Sequence, residues 1–235
     1  MNNTVSAAGK SWVITMFTSS LGRKYVMSLT GLFLCSFLVI HLIGNLLTLA
    51  PDNGVLFDAF THFMETNIVI KILEYVLFAG FIIHILQSLV ITLMNQKARP
   101  DKYAVNPGNA SSTWYSRNMG ILGTIIFVFL VIHLRNFFWD LKFEPEELGT
   151  DSKGDLNLFK EVVETFGLWY YVAFYVAAMI ALGYHLWHGF ASAFRSLGLM
   201  HSKYTPAIIF IGKVYTIVIT AGFIIIPLYW YFKQL

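Results

Sequence analysis

The stretch SLTGLFLCSFLVIHLIGNLLT, residues 28–48, decides the fold class. It matches the roughly 20 apolar residues that cross a bilayer as an α-helix, and one histidine, His41, sits deep inside it. Four further apolar runs of similar length follow, and three carry a histidine of their own: His84, His133 and His185. The chain of 235 residues is 57% hydrophobic and 12% charged, against about 25% charged for an ordinary soluble domain. It lacks the ten-residue segments of alternating polarity that mark a membrane barrel. The sequence therefore implies an all-α integral membrane protein forming one domain over residues 1–235. An N-terminal segment, 1–25, precedes spans near 26–49, 68–94, 119–139, 167–194 and 206–231.

Between Ser11 and Gly22, the residues Trp12, Val13, Met16 and Phe17 fall at near-helical spacing, which suits a short helix lying in the membrane interface. No signal-peptide pattern opens the chain, so the first apolar run is expected to stay as an anchor. Asp52, Asn53 and Gly54 after Pro51 make a turn, and Pro206 suits the first turn of the fifth helix. The connection from Asp140 to Phe166 is the longest and is acidic. A single cysteine, Cys35, excludes an internal disulfide, a four-cysteine zinc site and an iron–sulfur cluster within this chain. Nothing in the composition points to nucleic acid.

Loop charge sets the orientation. Lys10, Arg23 and Lys24 precede the first span; Lys97, Arg99, Lys102 and Arg117 outnumber Asp101 in the second connection; Arg195 and Lys203 flank the fourth. Asp52, Asp58 and Glu65 lie in the first connection, and Glu144, Glu146, Glu147, Asp151, Asp155, Glu161 and Glu164 in the third. Basic residues collect on the cytoplasmic side. The N-terminus is thus expected inside and the C-terminus, with Lys233, outside. At about 1.5 Å per residue, His41 and His133 come out at one depth, and His84 and His185 about 15 Å nearer the inside.

Intramembrane imidazoles are expensive and usually functional. Two on different helices at one depth can clamp a haem iron from both sides, and bundle interiors are where such sites are built. Two layers imply two stacked b-type haems, His41 with His133 on the outer and His84 with His185 on the inner. Gly44, Gly80 and Gly189 share helix faces with these histidines and would let a flat macrocycle approach the backbone; small-residue helix packing explains such glycines equally well. His188 could replace His185, and the glycine four residues after His185 favours the latter. For the haem propionates, Arg195, Arg117, Arg23 and Ser28 lie near the inner ends and Arg135 near the outer one. Arg23 and Arg117 serve equally as topology anchors.

The whole chain resembles the cytochrome b membrane-anchor subunit of succinate dehydrogenases and fumarate reductases, the respiratory complex II, of the five-helix, two-haem type. The motifs that carry this are Ser28-Leu29-Thr30-Gly31 leading to His41-Leu42-Ile43-Gly44-Asn45, and His185-Leu186-Trp187-His188-Gly189 running to Gly198. The resemblance implies iron ligation by His41, His84, His133 and His185, with the pairing that depth gives. It also implies a bacterial cytoplasmic membrane, a flavoprotein subunit and an iron–sulfur subunit on the cytoplasmic face, and electron exchange with a quinone, usually menaquinone. The succinate site would belong to the flavoprotein. Glu65 matches the carboxylate that such proteins carry near the outer haem for relaying quinone protons, with His62 and Asn45 expected beside it. Some fumarate reductases of this type have a glutamate two residues before the fourth-helix ligand; here that position is Gly183. Two other readings fit the residues: a di-haem cytochrome b serving another respiratory dehydrogenase, and a haem-free transporter or channel using histidine relays.

Overall fold

The computed structural model describes residues 11–98 and 112–235, and the charges expected at Lys10, Arg99, Asp101 and Lys102 lie outside the described residues. A short helix α1 (Trp12–Thr18) leads into α2 (Ser20–Leu46), which tightens into a 3-10 turn at Leu47–Leu49. Next come α3 (Val55–Thr66), α4 (Ile68–Lys97), α5 (Trp114–Arg117) and α6 (Met119–His133). A π-helical turn, Leu134–Trp139, joins α6 to α7 (Asp140–Phe143). The chain ends with α8 (Pro145–Leu148), α9 (Leu158–Phe166), α10 (Trp169–Ser196) and α11 (Thr205–Gln234). Five of these units are long and apolar enough to cross a membrane: 20–49, 68–97, 119–143, 169–196 and 205–234.

The helices outrun the apolar stretches because a helix of 30 residues is about 45 Å long, more than the roughly 30 Å of hydrocarbon. Thus α2 begins at Ser20 and not near residue 26; the Ser19 side chain accepts the Gly22 N–H at 3.0 Å and starts it there. Asn67 starts α4 in the same way, accepting from Val69 and Ile70. Gly22 lies so close to the Met16 carbonyl that a side chain could not fit, which folds α1 back against α2. Pro206 stands in the first turn of α11, as its fixed φ predicts, whereas Pro227 lies buried inside that helix.

Around the bundle, α2 packs on α4, α4 on α6, α6 on α10 and α10 on α2, which closes a four-helix ring. The fifth long helix, α11, lies outside the ring against α10 and α2. Its Gly222 meets Leu42 and its Gly212 meets Phe190. Outward faces carry Ile68, Val69, Ile72, Val76, Ile121, Val128, Ile217 and Val218 exposed, an apolar coat that hydrocarbon covers at no cost.

One end of the ring is capped. The connections expected as turns and loops contain α3, α8 and α9, whose apolar stripes (Phe57, Leu148, Leu158, Val162 and Phe166) join one core with Leu42, Tyr175 and Trp230. Asp52 starts α3 by accepting the Gly54 and Leu56 N–H groups, and Gly54 takes the left-handed φ of 88° that the turn requires. Asp58, only 1% exposed, accepts the Phe159 N–H at 2.9 Å, so a carboxylate on α3 caps α9.

Candidate functional site

The ring has two diagonals, α2 to α6 and α4 to α10, and each is bridged by a pair of histidines. His41 faces His133 with ring centres 5.7 Å apart. His84 faces His185 at 6.3 Å. These are the two partnerships that helix depth predicts. Each ring is held by its neighbours. Phe37 stacks on His41 at 5.0 Å, and Phe223 of α11 leans on the same ring. Phe129 stacks on His133 at 5.4 Å, with Phe137 and Tyr175 closing its other sides. The π turn begins at the residue after His133 and sets Phe137 against it; such turns concentrate at functional sites.

The separations suit a metal between the rings. A metal–imidazole bond is about 2 Å, and the ring centre lies about 1 Å behind the bonding nitrogen, so two imidazoles on opposite sides of one metal have centres about 6 Å apart. Edge-to-face packing accommodates similar distances but gives no reason to set imidazole, costly in lipid, at all four positions. Among the described residues no cluster of three or more His, Cys, Asp or Glu could hold a bare ion. Two protein ligands per site fit a metal whose other ligands come from a macrocycle, as in haem. The buried Nδ1 of His185 has no hydrogen-bond partner among the described residues.

The other ring nitrogens have neighbours. His84 Nδ1 lies 3.0 Å from the Thr30 hydroxyl, His133 Nδ1 3.4 Å from the Tyr175 hydroxyl, and His41 Nδ1 3.4 Å from the Asn45 amide. His188 stands off the diagonal, beside Tyr115 at 6.0 Å, so the structure pairs His185 and not His188 with His84. The glycines divide. A Cβ at Gly189 meets nothing within 4 Å, whereas Gly44 is filled by Phe60 and Gly80 by Phe33. Helix packing accounts for the latter two. Gly183 faces Thr220 of α11, whose hydroxyl an added Cβ would meet at 3.0 Å, on the outside of the ring.

The charged residues depart further from expectation. Arg135 is 60% exposed and bound by Asp140 at 2.5 Å and Glu144 at 3.7 Å, so carboxylates of its own connection hold it. Arg195 is exposed, whereas Ser28 is buried and bonds the Lys24 carbonyl. Arg23 reaches the Phe17 carbonyl and Met94 sulfur, which ties α1 to α4. Glu65 pairs with Lys142 at 2.7 Å, and Lys142 also holds Glu74 at 3.2 Å. His62, one helical turn from Glu65 on α3, pairs with Asp155 at 3.3 Å, and the Asn45 amide donates to the His41 carbonyl.

Lys142 and Glu74 escaped the sequence reading. Glu74 carried a signal, an acidic residue within an apolar span; Lys142, in an acidic connection, carried none. Together with Lys71, Tyr75, Phe78, Phe138 and Phe143 they line a lateral pocket of about 480 Å³ at the capped end. Drug-sized ligands occupy clefts of about 300–1,000 Å³.

Comparison of the chain with family models, with curated proteins and with solved structures yields no match.

Proposed function

We propose that this chain is the di-haem cytochrome b anchor of a succinate:quinone oxidoreductase, a succinate dehydrogenase or fumarate reductase. The observation that carries the proposal is the pair of bridged diagonals, 5.7 and 6.3 Å between ring centres, crossing one helical ring. His41 and His133 would hold one haem b and His84 and His185 the other. Bound there, haem supplies a one-electron couple at each level, which suits relay between cytoplasmic iron–sulfur chemistry and a membrane quinone. The chain's own part is to fix four imidazoles, exclude water with Phe37, Phe129, Phe137 and Phe223, and anchor its partners. Those partners are a flavoprotein and an iron–sulfur subunit at the α1 end, taken as cytoplasmic on the positive-inside bias of a bacterial inner membrane.

The lateral pocket suits a menaquinone ring, whose tail would remain in lipid. Reducing a quinone to a quinol takes two electrons and two protons. Glu74 lines the pocket and Glu65 reaches it through Lys142, which pairs with both carboxylates, so the two acids can relay protons there. Arg195 remains the candidate for an inner propionate; Ser28 does not, because its hydroxyl proton goes to the Lys24 carbonyl. Arg135 does not, because Asp140 and Glu144 already hold it.

A dithionite-reduced minus oxidised spectrum of the purified protein tests the reading. A b-type band with two haems per chain is expected, together with co-purification of a flavoprotein and an iron–sulfur protein. No haem band overturns the proposal; two haems with a hydrogenase or formate dehydrogenase as the partner reassigns the chain to that other complex.

A further inference from the structure

The Thr30 hydroxyl lies 2.7 Å from the Val26 carbonyl, 3.3 Å from that of Met27 and 3.0 Å from His84 Nδ1. A hydroxyl has one proton to donate and two lone pairs to accept with. The shortest contact claims the proton: a threonine inside a helix bonds back to the carbonyl four residues earlier. What remains toward His84 is a lone pair, so His84 must donate its Nδ1–H to Thr30. The same ring edge lies over Gly31, where an added Cβ would stand 3.4 Å from Cε1 and 3.9 Å from Nδ1. A methyl at that position would rest in ordinary van der Waals contact with the ring, so the ring edge lies directly against α2.

We infer that Thr30 is a positioning residue that locks His84 in the Nδ1–H tautomer and leaves Nε2 as the lone-pair nitrogen of the His84–His185 diagonal. The inference rests on the haem reading above. Outer-shell acceptors of this kind fix ring rotation and make the ligating nitrogen more basic. The contact is the shortest of its kind in the bundle. The nearest polar neighbours of His133 and His41 lie at 3.4 Å, and His185 Nδ1 has no partner among the described residues. A more basic ligand favours ferric iron, so Thr30 would lower the potential of one haem and leave the other unchanged.

The test is spectroelectrochemical titration of the intact complex carrying Thr30→Val, which keeps the shape and removes the hydroxyl, and Thr30→Ser, which restores it. The haem in question is the one lost in His84→Ala. Its midpoint should rise in the valine variant and return in the serine variant, while the other midpoint stays put. If the valine variant does not accumulate, Thr30→Ala, smaller and also without a hydroxyl, should show the same rise. Full haem occupancy with no shift, equal movement of both midpoints, or a serine variant that behaves like valine overturns the inference. Absence of haem from the wild-type complex sinks the parent reading and is visible before any variant is made.

Discussion

Replacing Asp58 by asparagine should remove a pH dependence from the capped end of the bundle. Burial pushes the Asp58 carboxyl up from its ordinary 3.8 to about 6, opposed by the Phe159 N–H and assisted by the nearby Asp151 and Asp155 carboxylates. One carboxylate oxygen, Oδ2, is buried with no hydrogen-bond partner among the described residues. A raised acid pKa means that the folded state binds the proton more tightly than the open one. The cost of ionisation is therefore absent below about pH 4, grows through pH 5 and is complete above about pH 6. A shift of about two units is worth roughly 3 kcal/mol at 1.36 kcal/mol per unit. Asparagine keeps an oxygen for the Phe159 N–H and has no charge to desolvate. Hydrogen exchange of the α9 amides, corrected for intrinsic rates, reads the free energy of opening this cap. In the wild type that free energy should fall by roughly 3 kcal/mol between about pH 4 and pH 7; in Asp58→Asn it should stay nearly level. Asp58→Ala should also be nearly level with pH but lie about 1 kcal/mol below Asp58→Asn, because the Phe159 N–H loses its acceptor while Asn157 still caps the helix. Equal pH slopes in wild type and Asp58→Asn would refute the reasoning.

His41→Ala or His133→Ala should abolish one haem and spare the other, with His84→Ala and His185→Ala doing the reverse, as counted in reduced-minus-oxidised spectra; His188→Ala should retain both. Lys142→Met removes the cation shared by Glu65 and Glu74, and quinone turnover should fall at least tenfold with both haem bands intact. Gly22→Ala drives a methyl into the Met16 carbonyl and should destabilise the α1–α2 junction by about 1–3 kcal/mol, visible as faster proteolysis of the N-terminal segment.

The five spans are legible in the sequence because lipid imposes length and apolarity on each one separately. The histidine pairing is legible for a related reason: depth along a helix is nearly linear in residue number. The cap is not. Helix α9 has nine residues, and its stripe of Leu158, Val162 and Phe166 becomes meaningful only against Trp230 and α3. Charge partners are equally hidden. Arg135 stands two residues past His133 at the outer end, a position that suits an anion, but Asp140 lies about one turn further on and reaches it. Lys142 and Glu65 are distant in the chain and meet only through the tertiary fold.

Each bridged diagonal skips one span: α2 joins α6 across α4, and α4 joins α10 across α6. Synthesis runs from the N-terminus, so the contact between His41 and His133 becomes possible before the one between His84 and His185. A nascent chain that has reached Phe143 already possesses His41 and His133, while His84 still awaits a partner not yet translated. Insertion order thus gives the capped-end clamp a head start, and the second can close only when the fourth long helix swings in to complete the circle.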